Sequence, residues 1–326
     1  MIDWSHFVEI VNRHQRFMLT THIRPDGDAL GSEIAMAAVL ESLHKDVLVC
    51  NVFAVPSNLQ FIDLQKKYKE LGVDITPAEL ADREVLIILD TSAWAQLDSM
   101  ADIVRASKAI KVVIDHHLSE DDLGAEVFKD IEAEATGRLV IEAADQLKVP
   151  LTPQIARAAF AAVATDTGWF RFSSTSAETF RLIVRLVEAG ANPDEIYKNL
   201  YENDTLARLR LMGRALTHTQ TELQGRLIHT YINLDDFRAA GALPSDSEDI
   251  INLTLAVGGT EVAVIFVEQQ SSGFKVSLRS RCDVDCAALA ELFGGGGHRK
   301  AAGAFIDEPF EAARTKVLDA VRAAMK

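Results

Sequence analysis

Apolar positions along the chain follow two rhythms. Short, mostly apolar runs at 17–19, 47–52, 85–89 and 111–114 are too brief for buried helices. They fit strands covered on both faces of a parallel sheet. Helical periodicity marks 3–16, then 29–43, where Leu30, Ile34, Ala37, Ala38 and Leu40 share a stripe. It also marks 59–71, with Gly72 just past its end as a C-cap, and 136–147 and 153–165. This alternation predicts an α/β domain, doubly wound about a mainly parallel sheet. Near residue 190 the texture changes: Gly190, Ala191, Asn192 and Pro193 break the pattern, and 194–219 reads as a charged connecting helical segment. Beyond it, strands at 227–233, 261–267 and 274–280 alternate with helices at 246–257, 285–293 and 309–325, a smaller α+β domain. The expected division is 1–190, a helical linker at 191–219, and 220–326.

Composition narrows the picture. Two domains suit 326 residues, and with 48% apolar residues each can bury a sizeable core. Lys and Arg total 33 and Asp and Glu 48, a net charge of −15. So acidic a chain excludes a long nucleic-acid track on a general basic surface; any phosphate must be met locally, by metal ions or a few placed cations. Cys50, Cys282 and Cys286 are odd in number and widely spaced, which argues against a disulfide framework and suits a reducing cytoplasm. Cys282 and Cys286, four apart, read as packing residues rather than metal ligands. No apolar run reaches the roughly eighteen residues needed to cross a bilayer. The opening MIDWSHFVEIVNRHQ carries early acids and no signal-peptide core. A cytoplasmic protein with no membrane partner is expected.

Candidate chemistry gathers where the apolar elements end. Residues 22–32, HIRPDGDALGS, place His22, Asp26 and Asp28 within seven positions at a strand-to-helix turn, where open α/β sheets bind ligands. Pro25 and Gly27 keep this cluster off a helical path, so the three side chains can converge as metal ligands do. An ordinary turn with a helix-capping Asp fits the same residues. Asp90 closes the run at 85–89, Asp115, His116 and His117 close 111–114, and Asp166 stands at the tip of the 153–165 helix. One Asp after an apolar run is often a strand terminator, but four such places with paired histidines are harder to dismiss. Carboxylates and imidazoles without cysteine suit Mn²⁺, and also Mg²⁺, Co²⁺ or Zn²⁺. Six or more ligands exceed one four-coordinate site; two metals about 3.5–4 Å apart, sharing a carboxylate, would use them all.

A second cluster lies near the C-terminus. Gly294, Gly295, Gly296 and Gly297 read either as a flexible turn or as backbone that lets a phosphate or nucleotide approach closely. His298, Arg299 and Lys300 follow, and Arg279 and Arg281 end a preceding strand. In so acidic a chain these cations read as an anchor for the distal end of a substrate, Arg279 and His298 foremost, with Arg299 and Lys300 as candidates for solvent. Glu311, Arg314, Lys316 and Arg322 read as an exposed helix face. Trp169, Phe170 and Phe172 have the chemistry to stack a base, yet aromatics beside an element end favour the core.

In combination these motifs resemble the DHH phosphoesterases. Asp115, His116 and His117 spell the signature, HIRPDGDALGS, ILDTS and ATDTG match the other metal motifs, and GGGGHRKAAGA (294–304) is similar to the hallmark of the DHH-associated C-terminal domain. The resemblance covers nearly the whole chain and is strongest to the compact bacterial class that joins oligoribonuclease and pAp phosphatase activities, the nanoRNase type. It implies His22 and Asp26 at one metal, Asp28, His116 and Asp166 at the other, and Asp90 as the bridge. It also implies two Mn²⁺, with Mg²⁺ or Co²⁺ as substitutes, and a bridging hydroxide as nucleophile. Asp115 is implied to orient a ligand histidine, and His117 to contact the scissile phosphate or leaving oxygen, with a buried backbone-satisfied histidine as the alternative. Arg279, Gly295, Gly296, Gly297 and His298 are implied to bind substrate, in a cleft between the domains.

The implied function is hydrolysis of very short RNA to mononucleotides and dephosphorylation of 3′-phosphoadenosine 5′-phosphate. Its partners are short RNA oligonucleotides and a nucleotide bisphosphate, with a homodimer left open. Thr136, Gly137 and Arg138 depart from the pattern, since relatives often carry an acid after the Thr; any contact of that acid is in doubt here. The rivals are a soluble cyclic- or linear-dinucleotide phosphodiesterase and a family II-like pyrophosphatase, which GGGGH speaks against. Two more are a RecJ-type exonuclease, expected to carry further DNA-binding domains, and a non-enzymatic nucleotide-binding module, which the unbroken ligand set makes improbable.

Overall fold

The computed structural model describes residues 2–118 and 120–326. The chain divides into two units, Met1–Asn203 and Asp204–Lys326. In the first, α1 (Ser5–Arg13), β1 (Arg16–Thr20), α2 (Gly27–Ser42), β2 (Asp46–Asn51), β3 (Tyr68–Glu70) and β4 (Val85–Leu89) lead to α3 (Met100–Ala106). Then come β5 (Ile110–Asp115), β6 (Glu126–Lys129), α4 (Thr136–Gln146), α5 (Pro153–Asp166), α6 (Ala177–Glu188) and α7 (Pro193–Tyr201).

Among the described residues this unit has one six-stranded sheet in the order β3-β2-β1-β4-β5-β6, every pair parallel. The chain winds outward from β1 to β3, returns to β4 beside β1, and winds outward the other way. That reversal opens a crevice at the carboxyl ends of β1 and β4, the ligand position of doubly wound sheets. Packing explains the apolar runs: β4 is buried at all five positions. Helices α2, α4 and α5 cover one face and α3 the other. Helix α2 is buried continuously from Gly27 to Leu40, so its sequence is apolar nearly all round.

The helix expected over 59–71 is instead a 3₁₀ turn, Ser57–Ile62, followed by β3. The Asp63 carboxylate accepts from Lys67 N at 3.0 Å and Tyr68 N at 2.9 Å, which turns the chain so that Tyr68 pairs with Val49 of β2. The helical segment expected at 191–219 is two helices, α7 in the first unit and α8 in the second.

The second unit holds α8 (Leu206–Thr217), β7 (Gln220–Glu222), β8 (Leu227–Ile232), α9 (Leu234–Ala240), α10 (Ile250–Leu255) and β9 (Val262–Glu268). It continues with β10 (Phe274–Ser280), α11 (Cys286–Glu291), β11 (Gly296–His298), β12 (Ala301–Ile306) and α12 (Phe310–Ala324). Among the described residues its sheet has six strands in the order β11-β12-β10-β9-β8-β7. Only β8 and β9 pair in parallel. Helices α11 and α12 pack on one face; α8, α9 and α10 pack on the other, over β8 and β9. The three cysteines are free thiols, and Cys50 and Cys286 are buried as packing residues. Among the described residues no helix is long and apolar enough to cross a membrane.

Candidate metal centre

The acids and histidines at the ends of β1, β4, β5 and α5 converge. Among the described residues, three groups place one donor atom from each member within 4.8 Å of the others: His22, Asp26 and Asp90; Asp28, His116 and Asp166; and Asp90, His116 and His117. Asp90 belongs to two of them, as a shared carboxylate requires. Its backbone is left-handed, φ 63°, at the end of β4, a conformation that non-glycine residues adopt at a cost and keep where surrounding structure enforces it.

Each group is held by identifiable local chemistry. Asp26 caps α2, its Oδ1 accepting from the N–H groups of Asp28 and Ala29, both at 3.0 Å. The capping reading is therefore correct for Asp26, and it leaves Oδ2 unused by the cap. Asp28 points from the first turn of α2 to the amino end of α4. There it accepts from Thr136 N at 2.7 Å and Gly137 N at 2.9 Å, and from Ser32 Oγ at 3.1 Å. A Cβ at Gly137 would lie 2.5 Å from that of Ala162, so only glycine lets α4 reach Asp28 and α5 together.

His116 provides the test of whether these residues fit a cation. Its Nδ1 lies 3.0 Å from the carbonyl oxygen of Ala133, which can only accept, so the proton is on Nδ1. Nε2 is buried and, among the described residues, without a hydrogen-bond partner; in the neutral imidazole it offers a lone pair. Around it stand Asp166 Oδ2 at 3.5 Å and Asp28 Oδ2 and Asp90 Oδ1 at 3.6 Å. A buried lone pair facing carboxylates repels them unless a cation lies between, and a backbone-held histidine is the usual way to aim a ligand nitrogen. His22 Nε2 lies 3.5 Å from Asp90 Oδ2.

The electrostatics agree. Burial, reinforced by the charges of Asp90 and Asp166, pushes the Asp28 carboxyl well above the ordinary range. Burial and the nearby Asp26 do the same to Asp90, and burial raises Asp166. Burial also lowers His22, disfavouring its cationic form. So many acids in one pocket resist ionising together until positive charge arrives.

Asp115 behaves differently from its expected part. It touches His117 rather than His116: Oδ1 accepts from His117 Nδ1 at 2.9 Å and from His117 N at 3.1 Å. Its Oδ2 accepts from Ser92 Oγ at 2.6 Å and lies 3.2 Å from Lys129 Nζ. Burial works to raise this carboxyl, but the bonds from His117 and Ser92 prevail and bring it down to about 2. In return the bond to Asp115 raises His117, which is half exposed rather than a buried, backbone-satisfied histidine.

One segment escapes sequence reasoning. Residues 133–137 supply the Ala133 carbonyl to His116, two N–H groups to Asp28, and Thr136 Oγ1 to Asp90 at 2.9 Å. The signal for it was a Thr-Gly pair at a helix start, which alone reads as capping. Arg138 is committed to Glu134 at 3.0 Å and Glu142 at 3.1 Å along α4. A buried network also supports β1. Glu33 Oε2 and Oε1 accept from Asn51 Nδ2 at 2.7 and 3.0 Å, Asn51 Oδ1 accepts from Thr20 Oγ1 at 3.0 Å and Thr21 N at 2.9 Å, and Thr21 Oγ1 donates to Leu89 O at 2.7 Å. It ties the residues before His22 to the residue before Asp90. Trp169 and Phe170 pack on the core. Phe172 does not: Gly168, Trp169 and Phe170 are consecutively left-handed, and this turn leaves Phe172 54% exposed.

The C-terminal candidates lie in the second unit. Arg279 and His298 are both register partners of Ala301, from opposite sides. Gly295 and Gly297 are required by packing, since a Cβ would lie 2.2 Å from Gly303 O and 2.6 Å from Ala302 Cα. Gly296 faces open space. His298, Arg299 and Lys300 are exposed, and the Lys300 ammonium donates to Cys282 O. On α12, Glu311 and Lys316 are exposed, but Arg322 reaches back to Glu222 of β7 at 2.6 and 2.8 Å.

Comparison with known proteins identifies the family. The model of the DHH family, N-terminal domain, matches residues 16–163, and that of the DHHA1 domain matches 226–326. A bifunctional oligoribonuclease and PAP phosphatase NrnA from Thermus thermophilus is 31% identical over 309 residues, 93% of this chain and 88% of that one. The protein of the same name from Bacillus subtilis is 26% identical over 308 residues, 93% of each. The crystal structure of an exopolyphosphatase-related protein from Bacteroides fragilis superposes with a TM-score of 0.86 at 27% identity, covering 98% of this chain and 94% of that one. With both domain models matched in order and a relative above 30% identity across most of its length, the chain belongs to the DHH family, its DHH domain followed by a DHHA1 domain.

Proposed function

We propose that the chain is a divalent-metal-dependent phosphoesterase that hydrolyses very short RNA oligonucleotides to mononucleotides and dephosphorylates 3′-phosphoadenosine 5′-phosphate, the activities for which its relatives are named. The observation that carries the reading is Nε2 of His116, buried and, among the described residues, without a hydrogen-bond partner, beside the carboxylates of Asp28, Asp90 and Asp166. In this reading His22, Asp26 and Asp90 hold one cation, Asp28, His116 and Asp166 hold the other, and Asp90 is shared. Mn²⁺ is the favoured ion, because carboxylates and imidazoles without thiolate suit it; Mg²⁺ and Co²⁺ are the nearest substitutes. Two such cations, when bound, supply Lewis acidity to a phosphoryl oxygen and a water-derived nucleophile at neutral pH.

The chain's own groups do the rest. Thr136, Gly137 and Ala133 fix the ligands before any cation binds, which lowers the cost of assembling the site. Asp115 favours the cationic form of His117 and fixes its Nδ1 proton, so the imidazolium can give its Nε2 proton to the departing ribose oxygen. Arg279 and His298 grip a phosphate away from the breaking bond and so help position the one that reacts. The net charge of −15 repels long polyanions, so the best substrates are oligomers of about two to five nucleotides. A cytoplasmic setting fits three free thiols.

The test is a panel: the full chain with Mn²⁺ and dinucleotides, longer RNA, pAp, cyclic dinucleotides and pyrophosphate. Turnover of dinucleotides and pAp is expected. Turnover confined to cyclic dinucleotides or to pyrophosphate would replace the reading.

A further inference from the structure

Directly opposed residues of antiparallel strands share a face. Across β10, β12 and β11 this builds three rows on one side of the second sheet. They are Arg279–Ala301–His298, then Ser277–Gly303–Gly296, then Lys275–Phe305. The same rows continue onto β9 at Ala263, Ile265 and Val267, where the helices α8, α9 and α10 bury them. On β10 and β12 the character changes. Phe305 is 50% exposed, while Ala302, Ala304 and Ile306, facing the other way, are buried. Lys275 opposite it is exposed and makes no ion pair among the described residues. Between the Lys275 row and the Arg279 row the floor is glycine on both β12 and β11.

An exposed aromatic ring beside an unpaired cation, on an open strand face, is the chemistry that holds single-stranded nucleic acid: a base stacks on the ring and a phosphate meets the cation. Arg279 and Lys275 are four residues apart on one strand, hence about 13 Å, which leaves room for successive nucleotides of an extended chain. The glycine floor lets the sugar-phosphate backbone lie low between them. Glu248 and Asp249 line the groove beside Lys275; they repel phosphate and turn the strand toward β12 and Phe305.

We propose that Phe305 and Lys275 form a second nucleotide subsite, next to the phosphate grip of Arg279 and His298, that recognises a further base and phosphate of a short single-stranded RNA. The inference rests on the reading of the chain as an enzyme of short RNA. It makes these two residues determinants of substrate length: a tetranucleotide reaches the subsite and a dinucleotide does not.

Steady-state hydrolysis by the Mn²⁺-loaded full chain tests this, with a dinucleotide and a tetranucleotide of matched sequence. Phe305→Leu is expected to lower the tetranucleotide-to-dinucleotide ratio of kcat/KM by about tenfold through KM, since stacking is lost while apolar bulk remains. Phe305→Tyr keeps the ratio. Lys275→Gln lowers it and reduces the salt slope for the tetranucleotide by about 0.7, the value of one single-strand phosphate. A ratio unmoved by Phe305→Leu, or equal losses on both substrates, overturns the subsite while leaving the functional reading intact. A wild-type chain that turns over neither RNA nor pAp overturns that reading and the subsite with it.

Discussion

Thr136 Oγ1 donates to Asp90 Oδ1 at 2.9 Å, joining the first turn of α4 to the left-handed residue that ends β4. The bond fixes one oxygen of the carboxylate shared by two of the donor groups. Loss of such an orienting contact typically weakens metal binding about ten- to a hundredfold. Thr136→Val should therefore weaken Mn²⁺ binding by that order in calorimetric titration, and Thr136→Ser should restore it. Asp90→Ala should abolish hydrolysis and leave at most one bound Mn²⁺. Near-wild-type turnover with two bound Mn²⁺ in Asp90→Ala would refute a shared carboxylate.

Proton release should accompany metal binding. Asp28 and Asp90 are both raised, by burial and by neighbouring carboxylates, so the metal-free centre holds protons at pH values where ordinary carboxyls have lost them. A cation must displace those protons, and affinity therefore increases with pH. Titration of Mn²⁺ in buffers of different ionisation heat should show net proton release. A binding heat independent of the buffer contradicts this electrostatic picture.

The Asp115–His117 pair predicts a shift in the pH profile. The bond to Asp115 raises His117, which extends the range in which the imidazolium can donate a proton. Activity should fall as pH rises through that pKa. Asp115→Asn withdraws the carboxylate, so the basic limb of kcat should move to lower pH and kcat should drop by about 10²-fold or more, the scale of general acid catalysis. Metal content should be retained. An unmoved basic limb would exclude His117 as the proton donor.

Glu33 ties stability to pH with a definite sign. Burial pushes its carboxyl from 4.5 to about 8. Between those values the unfolded chain has released a proton that the folded chain keeps, so this group's contribution to stability is lost as pH rises across that window. The slope is about 1.4 kcal/mol per pH unit for one proton. Glu33→Gln has no such titration. Urea unfolding across the window should show the difference between variant and wild type moving in the variant's favour as pH rises; a constant difference contradicts the assignment.

Much of this centre is legible in the sequence because its ligands end elements that announce themselves. The run before Asp90 is buried throughout and the residues just before Asp115 are buried too, which is why both read as apolar stretches. What stays hidden depends on contacts distant along the chain. Glu33 lies mid-helix, 18 residues from the Asn51 that satisfies it, and nothing local distinguishes it from a surface glutamate. Thr136 is 46 residues from Asp90. Strand β3 is missed because 59–71 carries helical spacing, and its strand character comes only from pairing with β2. Strand β12, AAGAFI, is too rich in Ala and Gly to declare itself; its partners β10 and β11 define it.

The central claim is a paired metal site with Asp90 between its halves. Diffraction from crystals grown with Mn²⁺, recorded on either side of the manganese absorption edge, tests it most directly. Two anomalous peaks are expected about 3.5–4 Å apart, one among His22, Asp26 and Asp90 and the other among Asp28, His116 and Asp166, with Asp90 touching both. A single peak, or two peaks that do not share Asp90, would contradict the account.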